Sequence, residues 1–348
     1  MGIKNLFKFI RENAPSLMIE IHLSTFAFKK VAIDTSIYLY KFKAICGETW
    51  LTAFINLIIS LRRNDIHAVF IFDNGAPVEK DDEKQKRKEA HLKLVEHVNE
   101  LKVMLETYKT TGDIDVKLKA YYNTQVHKRL LKQKDDDIDN ELLCKMIDDK
   151  ERQIINIDKS DFDLLRQLFD VMQIPYLIAP LEAECCCADL CVRGLVDAAL
   201  SDDSDLLAYC SPISLSKINT MNDTVTMINH KELLDTIEMT KKEFVEFCIM
   251  LGTDYNTNIF KIGPKKSHEL IKKHRSISEI SKVIDVSILN HVRSYQLFTE
   301  YERHVVEDIK YCGRGEVSEI VNFFKINAIE YDVDKIVKTC YTARISQC

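Results

Sequence analysis

The chain has 348 residues, of which 46% are hydrophobic, enough to bury a large core in one big domain or in one domain with a substantial insertion. No unbroken apolar run approaches the ~18 residues of a membrane span, and segment 1–10 lacks the long apolar core of a signal peptide, so we expect neither. The net charge of −6 argues against a nucleic-acid-binding protein, unless one pocket concentrates the acids and the surface elsewhere is basic.

The first predicted elements follow the pattern of a parallel sheet. A strand over 31–33 is followed by a helix through Tyr40, an apolar helix over 51–63 and a strand over 68–72. Such a strand, helix, strand unit is typical of α/β proteins.

From 77 to 158 the chain is highly charged and helical. One predicted helix face carries residues spaced by four and three positions, namely Leu94, Val98, Leu101, Leu105 and Tyr108. Ile138, Leu142 and Met146 indicate another helix. We interpret this stretch as a helical excursion inserted into the sheet.

Strands resume within 174–180 and 197–201, separated by a helix that Gly194 is expected to end. Downstream of Lys241 the pattern is helical throughout. The predicted units are therefore 1–76 and 159–240 for the sheet region, 77–158 for the helical insertion, and 241–348 for a C-terminal helical region.

Eleven cysteines without a secretion signal favour a reducing compartment, nuclear or cytoplasmic. Four of them share one predicted helix, at positions Cys185, Cys186, Cys187 and Cys191. Consecutive helical residues point in different directions and cannot enclose one zinc ion, so we expect these thiols to pack a helix against the sheet.

An acidic stretch in the excursion resembles a calcium loop only in part. Asp135, Asp137 and Asp139 have the one, three, five spacing, but Asn140 stands where glycine is needed and Met146 where glutamate is needed. An exposed acidic turn is the preferred interpretation.

The acids at the ends of the predicted strands carry the most information. Seven carboxylates come at, or just after, short apolar runs: Asp34, Asp73, Glu182, Glu184, Asp203, Asp205 and Asp254. Because the ends of several parallel strands meet at one rim of an open sheet, these side chains can converge. Such a cluster needs a counter-charge, and a pair of hard divalent cations is the natural one.

Basic residues cluster in two places, and either cluster could contact phosphates or be a solvated helix face. The first contains Lys84, Lys86, Arg87 and Lys88, and the second contains Lys261, Lys265, Lys266, Lys272, Lys273 and Arg275.

Six separated blocks occur in the order found in flap endonucleases: MGIKNLFKFI, KVAIDTSIYLY, FIFDNG, APLEAE, SDDSDLLAY, and LGTDY followed by IGPKK. The chain therefore resembles the structure-specific 5′ nucleases, which include the flap, exonuclease-one and xeroderma pigmentosum G types. The resemblance implies an α/β fold with a central, mostly parallel sheet flanked by helices, a helical arch insertion and a C-terminal helix-two-turn-helix.

The same resemblance implies a Mg²⁺-dependent 5′ flap endonuclease with 5′ to 3′ exonuclease activity in DNA replication or repair. All seven carboxylates match family metal ligands for two Mg²⁺, with Mn²⁺ an alternative. Asp34, Asp73 and Glu184 would serve mainly one ion, and the other four acids the second. The ions would activate a water for attack on the phosphodiester.

The resemblance also implies positions that contact DNA. Lys80 and Arg87 would clamp the scissile phosphate, and Lys84 could assist them. Tyr40 matches an aromatic on which a terminal base can stack, although a core position is an equally good interpretation from sequence alone.

At IGPKK, backbone N–H groups near Gly263 would face a duplex phosphate, often with a shared monovalent cation. Lys265 and Lys266 would add charge, and Gly2 matches a chain end close to the junction. We expect a monomeric DNA-binding protein with no membrane partner.

Three departures from the family pattern stand out. Lys261 replaces the first glycine of Gly-Ile-Gly-Pro, where the backbone approaches DNA closely. The stretch between Asp73 and Glu182 is longer than a typical arch, which leaves arch geometry and threading open. The sequence shows no sliding-clamp tail, so clamp binding through such a tail is not predicted.

Two alternatives remain at this point. One is a bubble or four-way-junction endonuclease, or a plain 5′ to 3′ exonuclease, with the same chemistry. The other is a non-catalytic DNA-binding scaffold, which the presence of all seven acids disfavours.

Overall fold

A computed structural model describes residues 2–128 and 138–342. The strands in these ranges are β1 (Ile19–His22), β2 (Lys30–Asp34), β3 (His67–Phe72), β4 (Tyr176–Ile178), β5 (Ala198–Leu200), β6 (Ile213–Asn219) and β7 (Thr224–Asn229). They form one sheet in the order β1-β7-β6-β5-β2-β3-β4.

Helices surround this sheet and form the insertion and the C-terminal region. They are α1 (Leu6–Asn13), α2 (Thr35–Cys46), α3 (Trp50–Arg63), α4 (Asp81–Thr111), α5 (Val116–Lys128), α6 (Asn140–Glu151), α7 (Lys159–Val171), α8 (Ala183–Val192), α9 (Asp205–Ala208), α10 (His230–Ile237), α11 (Lys241–Leu251), α12 (Pro264–His274), α13 (Ile277–Ile280), α14 (His291–Thr299), α15 (Val317–Ile326) and α16 (Val333–Thr342).

The expected fold class is confirmed. Strands β6, β5, β2, β3 and β4 run parallel, while β7 and β1 add an antiparallel edge. The sequence pattern did not indicate β1, β6 or β7, because these strands lack a continuous apolar run: β1 is mostly exposed, and β6 carries Ser214 and Ser216. The domain boundaries drawn from the sequence remain predictions.

Alternating residues of the central strands pack into two hydrophobic cores, one on each face of the sheet. Ala32 and Ile71 face one core, while Ile33 and Phe70 face the other, as the two-residue period of a strand requires. Phe70 stacks on Phe169 of α7, with ring centroids 4.3 Å apart.

The order of strands brings the ends of β2 and β5 together. From β2 the chain proceeds to β3 and β4 on one side, then returns to β5 on the other side of β2. Where the chain leaves two neighbouring parallel strands towards opposite sides of the sheet, a crevice opens beside their carboxyl ends. α/β proteins bind ligands in such crevices.

The helical insertion has a core of its own. Its buried side chains come from α4, α5 and α6 and are Leu101, Leu105, Leu118, Tyr122, Val126, Leu143, Met146 and Ile147. A salt bridge of 2.5 Å from Lys102 to Glu151 also joins α4 to the end of α6. Asp139 caps α6 by accepting from the Leu142 N–H at 2.9 Å, whereas Asp135 and Asp137 lie outside the described residues.

The four cysteines of α8 are buried in the core, as expected.

By length and composition alone the helical segment Thr35–Arg63 could cross a membrane, although it contains no unbroken apolar run of about 18 residues. Half of its apolar window is buried within the protein, and Phe54 and Leu57 pack in the core, a pattern typical of core helices.

Candidate active site

The acidic residues singled out from the sequence follow four adjacent parallel strands. Asp34 ends β2, and Asp73 comes directly after β3. Glu182 and Glu184 lie at the start of α8, after β4, and the loop after β5 leads through Asp203 into α9 at Asp205. Asp254 joins them from the loop after α11. We call these seven residues the acid cup.

Lys80 lies inside the acid cup. It precedes α4 and is 8% exposed, and its Nζ is 2.5 Å from Glu182 Oε1, 3.3 Å from Glu184 Oε1 and 3.6 Å from Asp254 Oδ2. Burial would lower the pKa of this ammonium, but Glu184, Glu182 and Asp205 raise it above its usual value. Lys80 therefore stays charged and offsets part of the acid cup's negative charge.

Several carboxyl groups of the acid cup resist ionisation. Desolvation, followed by repulsion from Glu184, raises the pKa of Asp203 to about 6 and that of Glu182 to about 7. Burial and then neighbouring carboxylates raise the pKa of Asp34 and Asp205 well above the usual value. The acid cup therefore attracts additional positive charge.

Asp205 carries the clearest sign of a missing partner. Its side chain is fully buried, and among the described residues neither carboxylate oxygen has a hydrogen-bond partner. By contrast, Asp34 accepts from the Ser201 hydroxyl at 3.0 Å, and Asp73 accepts from the Ala183 N–H at 2.7 Å. Buried polar atoms are nearly always satisfied, so the unpaired oxygens of Asp205 fit a ligand such as a cation.

The donor set fits hard divalent cations, which prefer carboxylate oxygens. As the side chains stand, no three acids, histidines or cysteines in residues 2–128 and 138–342 converge closely enough to enclose a metal ion. The ammonium of Lys80 lies among three of the seven acids, Glu182, Glu184 and Asp254.

Gly2 lies against the acid cup. A Cβ added to this residue would be 2.6 Å from Asp205 Oδ1 and 2.8 Å from the Ser204 hydroxyl oxygen, and its φ is +78°. The next residue, Ile3, donates its N–H to Ser204 at 2.8 Å. Both the space and the backbone conformation therefore require glycine here.

Two further basic residues near the start of α4, Arg87 and Lys84, have different surroundings. Arg87 is about half exposed and bonds Asp254 Oδ2 through Nη2 at 2.9 Å, so it joins the rim of the acid cup. Lys84 points to Asp81 at 3.6 Å and is 52% exposed. Tyr40, on α2, is also half exposed rather than a core aromatic.

The loop between α11 and α12 connects the acid cup to the predicted duplex-binding segment. Asp254 lies near its start, and Gly263 at its end is the N-cap of α12, which begins at Pro264. Lys265 and Lys266 are exposed on the first turn of α12. Lys261 adopts φ +60°, the left-handed conformation that glycine takes more easily than other residues.

The sequence pattern did not single out two hydroxyl groups that donate hydrogen bonds to the acids. Tyr255 donates to Glu182 Oε2 at 2.5 Å, and the ammonium of Lys80 lies 5.2 Å from the centre of its ring. Ser201 holds Asp34. Both lie in blocks that carry acids, LGTDY and SDDSD, and their position beside the acids was the available signal.

Comparisons with known proteins match two regions of this chain. The XPG N-terminal domain matches residues 1–94, and the XPG I-region matches residues 173–254. The first contains Asp34 and Asp73, and the second contains the other five acids. Most of the helical insertion falls between them.

Among relatives, the chain is 34% identical to the probable RAD2-like endonuclease 369L of Invertebrate iridescent virus 6, over 94% of this chain and 88% of that protein. It is 30% identical to flap endonuclease 1 of Scheffersomyces stipitis, over 82% of this chain and 70% of that protein. The solved catalytic core of Rad2 in complex with DNA substrate has the same fold, with a TM-score of 0.69 at 19% identity, covering 98% of this chain and all of that one.

Proposed function

Because the chain belongs to the flap endonuclease and XPG family of structure-specific 5′ nucleases, we propose that it cuts branched DNA at the acid cup with the help of two Mg²⁺. The preferred substrate would be a 5′ flap, with accompanying 5′ to 3′ exonuclease activity, in replication or repair. The observation that carries this proposal is the meeting of seven carboxylates from separate parts of the chain at one rim of the sheet.

The acid cup would hold both ions. Asp34, Asp73 and Glu184 would mainly hold one, and Glu182, Asp203, Asp205 and Asp254 the other. Divalent ions supply an activated water and stabilise charge on the phosphodiester oxygens, and Mn²⁺ can replace Mg²⁺ in such oxygen-rich sites. The unpaired oxygens of buried Asp205 support this assignment.

Lys80 and Arg87 would exchange partners when DNA and metal bind. Both now contact acids of the cup, and both lie at or near the start of α4. Once cations balance the carboxylates, the two side chains would be free to bind the scissile phosphate and offset its growing charge. Lys84, one turn from each, would add positive charge where the strand enters.

The duplex beside the junction would lie on the loop between α11 and α12. Gly263, Lys265 and Lys266 present backbone N–H groups and charge at the start of α12, a favourable place for a phosphate. A monovalent cation shared between this loop and DNA is part of the proposal. Tyr40 is exposed and could stack on a terminal base.

The helical insertion favours one alternative specificity on the same chemistry. Its own hydrophobic core and its position between the two matched family regions set it apart from the rest of the chain. A closed, rigid insertion would restrict which strands reach the acid cup. A bubble or four-way-junction endonuclease, or a plain exonuclease, is therefore the second candidate.

End-labelled 5′ flap, nicked, bubble and four-way-junction DNAs distinguish these activities when each is incubated with wild-type protein and with an Asp203→Ala variant. We expect Mg²⁺-dependent cutting at the flap junction and a loss of at least about 100-fold in the variant, because a ligand to the catalytic metal is gone. Preference for a bubble or junction would select the second candidate. Cutting without Mg²⁺, or by the variant at the wild-type rate, would contradict the mechanism.

A further inference from the structure

The position of Lys80 depends on a short turn at the base of the insertion. Residues Val78–Lys80 form a 3-10 turn, in which the N–H of Lys80 donates to the Pro77 carbonyl at 3.0 Å. The preceding residue, Glu79, therefore moves together with Lys80. A contact that holds Glu79 therefore also restrains the turn from which Lys80 enters the acid cup.

Glu79 has such a contact with the C-terminal helical region. Arg293 of α14 donates through Nε to Glu79 Oε1 at 2.6 Å, across 214 residues of sequence. The Glu79 side chain is only 16% exposed, and its Oε2 is buried without a hydrogen-bond partner among the described residues. Arg293, whose side chain is 49% exposed, supplies the cation that this carboxylate contacts.

Helix α14 reaches the acid cup by a second route. Phe298 is buried and packs on the ring of Tyr255 at 5.2 Å between centroids. Tyr255 in turn bonds Glu182 and lies under the ammonium of Lys80. One helix therefore supports Lys80 both from its backbone side, through Glu79, and from its head-group side, through Tyr255.

We propose that α14 positions Lys80 for catalysis through the Arg293–Glu79 ion pair. The inference depends on the proposed nuclease function and adds two positioning residues to it. An ion pair with this exposure contributes little to overall stability, so its effect is expected on geometry. Misplacing a catalytic group by about 1 Å can cost about 100-fold in rate.

The test compares Glu79→Gln, Arg293→Gln and the double variant in single-turnover cleavage of 5′ flap DNA. We expect each single variant to cut about 10-fold more slowly, and the double variant no more slowly than either, because both remove one interaction. Arg293→Lys should recover part of the rate. Affinity for flap DNA in EDTA should stay within about twofold, since neither residue is assigned a DNA contact.

Asp308→Asn is the matched control. Asp308 pairs with Lys30 at 2.7 Å, another ion pair between distant segments, but at the amino end of β2 and so at the opposite end of the sheet. Losing it should leave the cleavage rate unchanged.

A Lys80→Ala background separates positioning from a general structural effect. If the pair acts through Lys80, adding Glu79→Gln to that background should change nothing further. An unchanged rate in the single variants, or a 10-fold loss that persists without Lys80, would overturn the inference. Wild-type protein that fails to cut any of the DNAs would sink the proposed function, and the inference with it.

Discussion

Replacing Lys80 with methionine tests whether this ammonium is the internal counter-charge of the acid cup. Methionine keeps most of the length and volume of the side chain but removes the charge that lies 2.5 Å from Glu182 and 3.3 Å from Glu184. Removing one partner of a buried ion pair typically costs about 3 to 5 kcal/mol. Protonation of carboxyl groups with raised pKa would offset part of that cost, so we expect about 3 kcal/mol without metal.

The expected change in melting temperature follows from chain length. At about 2 cal/mol/K per residue, the unfolding entropy of 348 residues is about 0.7 kcal/mol/K, so 3 kcal/mol corresponds to about 4 °C. With Mg²⁺ present, the cations replace the lost charge and bind a cup with no competing ammonium. The Mg²⁺-induced rise in melting temperature should therefore be larger in the variant than in wild type.

Differential scanning calorimetry at mildly alkaline pH, in EDTA and in millimolar Mg²⁺, measures both quantities. Lys84→Met is the control, because Lys84 is half exposed and pairs with Asp81 of its own helix at 3.6 Å. Its melting temperature should match wild type in both conditions. A Lys80→Met protein that is as stable as wild type in EDTA, or that loses equal stability with and without Mg²⁺, would refute the reasoning.

Three further changes have defined outcomes. Burial, followed by Lys241, lowers the pKa of His230 to about 4, so this histidine takes up a proton in the unfolded chain first as pH falls below about 6.5, and its own contribution to stability should drop by about 2 kcal/mol by pH 5. Urea unfolding at several pH values should show that His230→Phe lacks most of this drop; an identical slope in both proteins would argue against it. Tyr255→Phe removes the hydroxyl that holds Glu182, and should lower the cleavage rate about 10-fold at unchanged DNA affinity, whereas a change in affinity alone would assign Tyr255 another role. Lys261→Gly relieves the left-handed backbone but removes a cation. The slope of the logarithm of duplex affinity against the logarithm of salt concentration should therefore become shallower by about one unit; an unchanged slope would place Lys261 away from DNA.

The sequence was sufficient to predict six members of the acid cup as a group, because they follow strands of a parallel sheet, whereas Asp254 follows helix α11. Parallel strands share one rim whatever the length of chain between them, so the insertion between Asp73 and Glu182 did not obscure the pattern. The central strands were also predictable, since residues buried on both faces form continuous apolar runs.

Contacts between distant segments could not be predicted in the same way. Nothing near Glu79 in the sequence indicates Arg293, and Lys80 was expected over a phosphate rather than among the acids. Such partners are set by how the C-terminal helices pack on the sheet, which side-chain periodicity does not specify. Similarly, a lysine in place of the family's first glycine cast doubt on the loop at position 261, yet Lys261 adopts the left-handed backbone that glycine favours.

Direct counting of bound divalent cations tests the central claim, that the acid cup holds two metal ions. Electron paramagnetic resonance of free Mn²⁺, titrated against wild-type protein and against Asp205→Asn, gives the number of sites and their affinity. We expect two Mn²⁺ per wild-type chain, and in the variant the loss or at least about 10-fold weakening of one site, since Asp205 supplies two buried oxygens without another partner among the described residues. Wild-type protein that binds no Mn²⁺ at millimolar concentration, or an Asp205→Asn variant that binds two ions as tightly, would contradict the account.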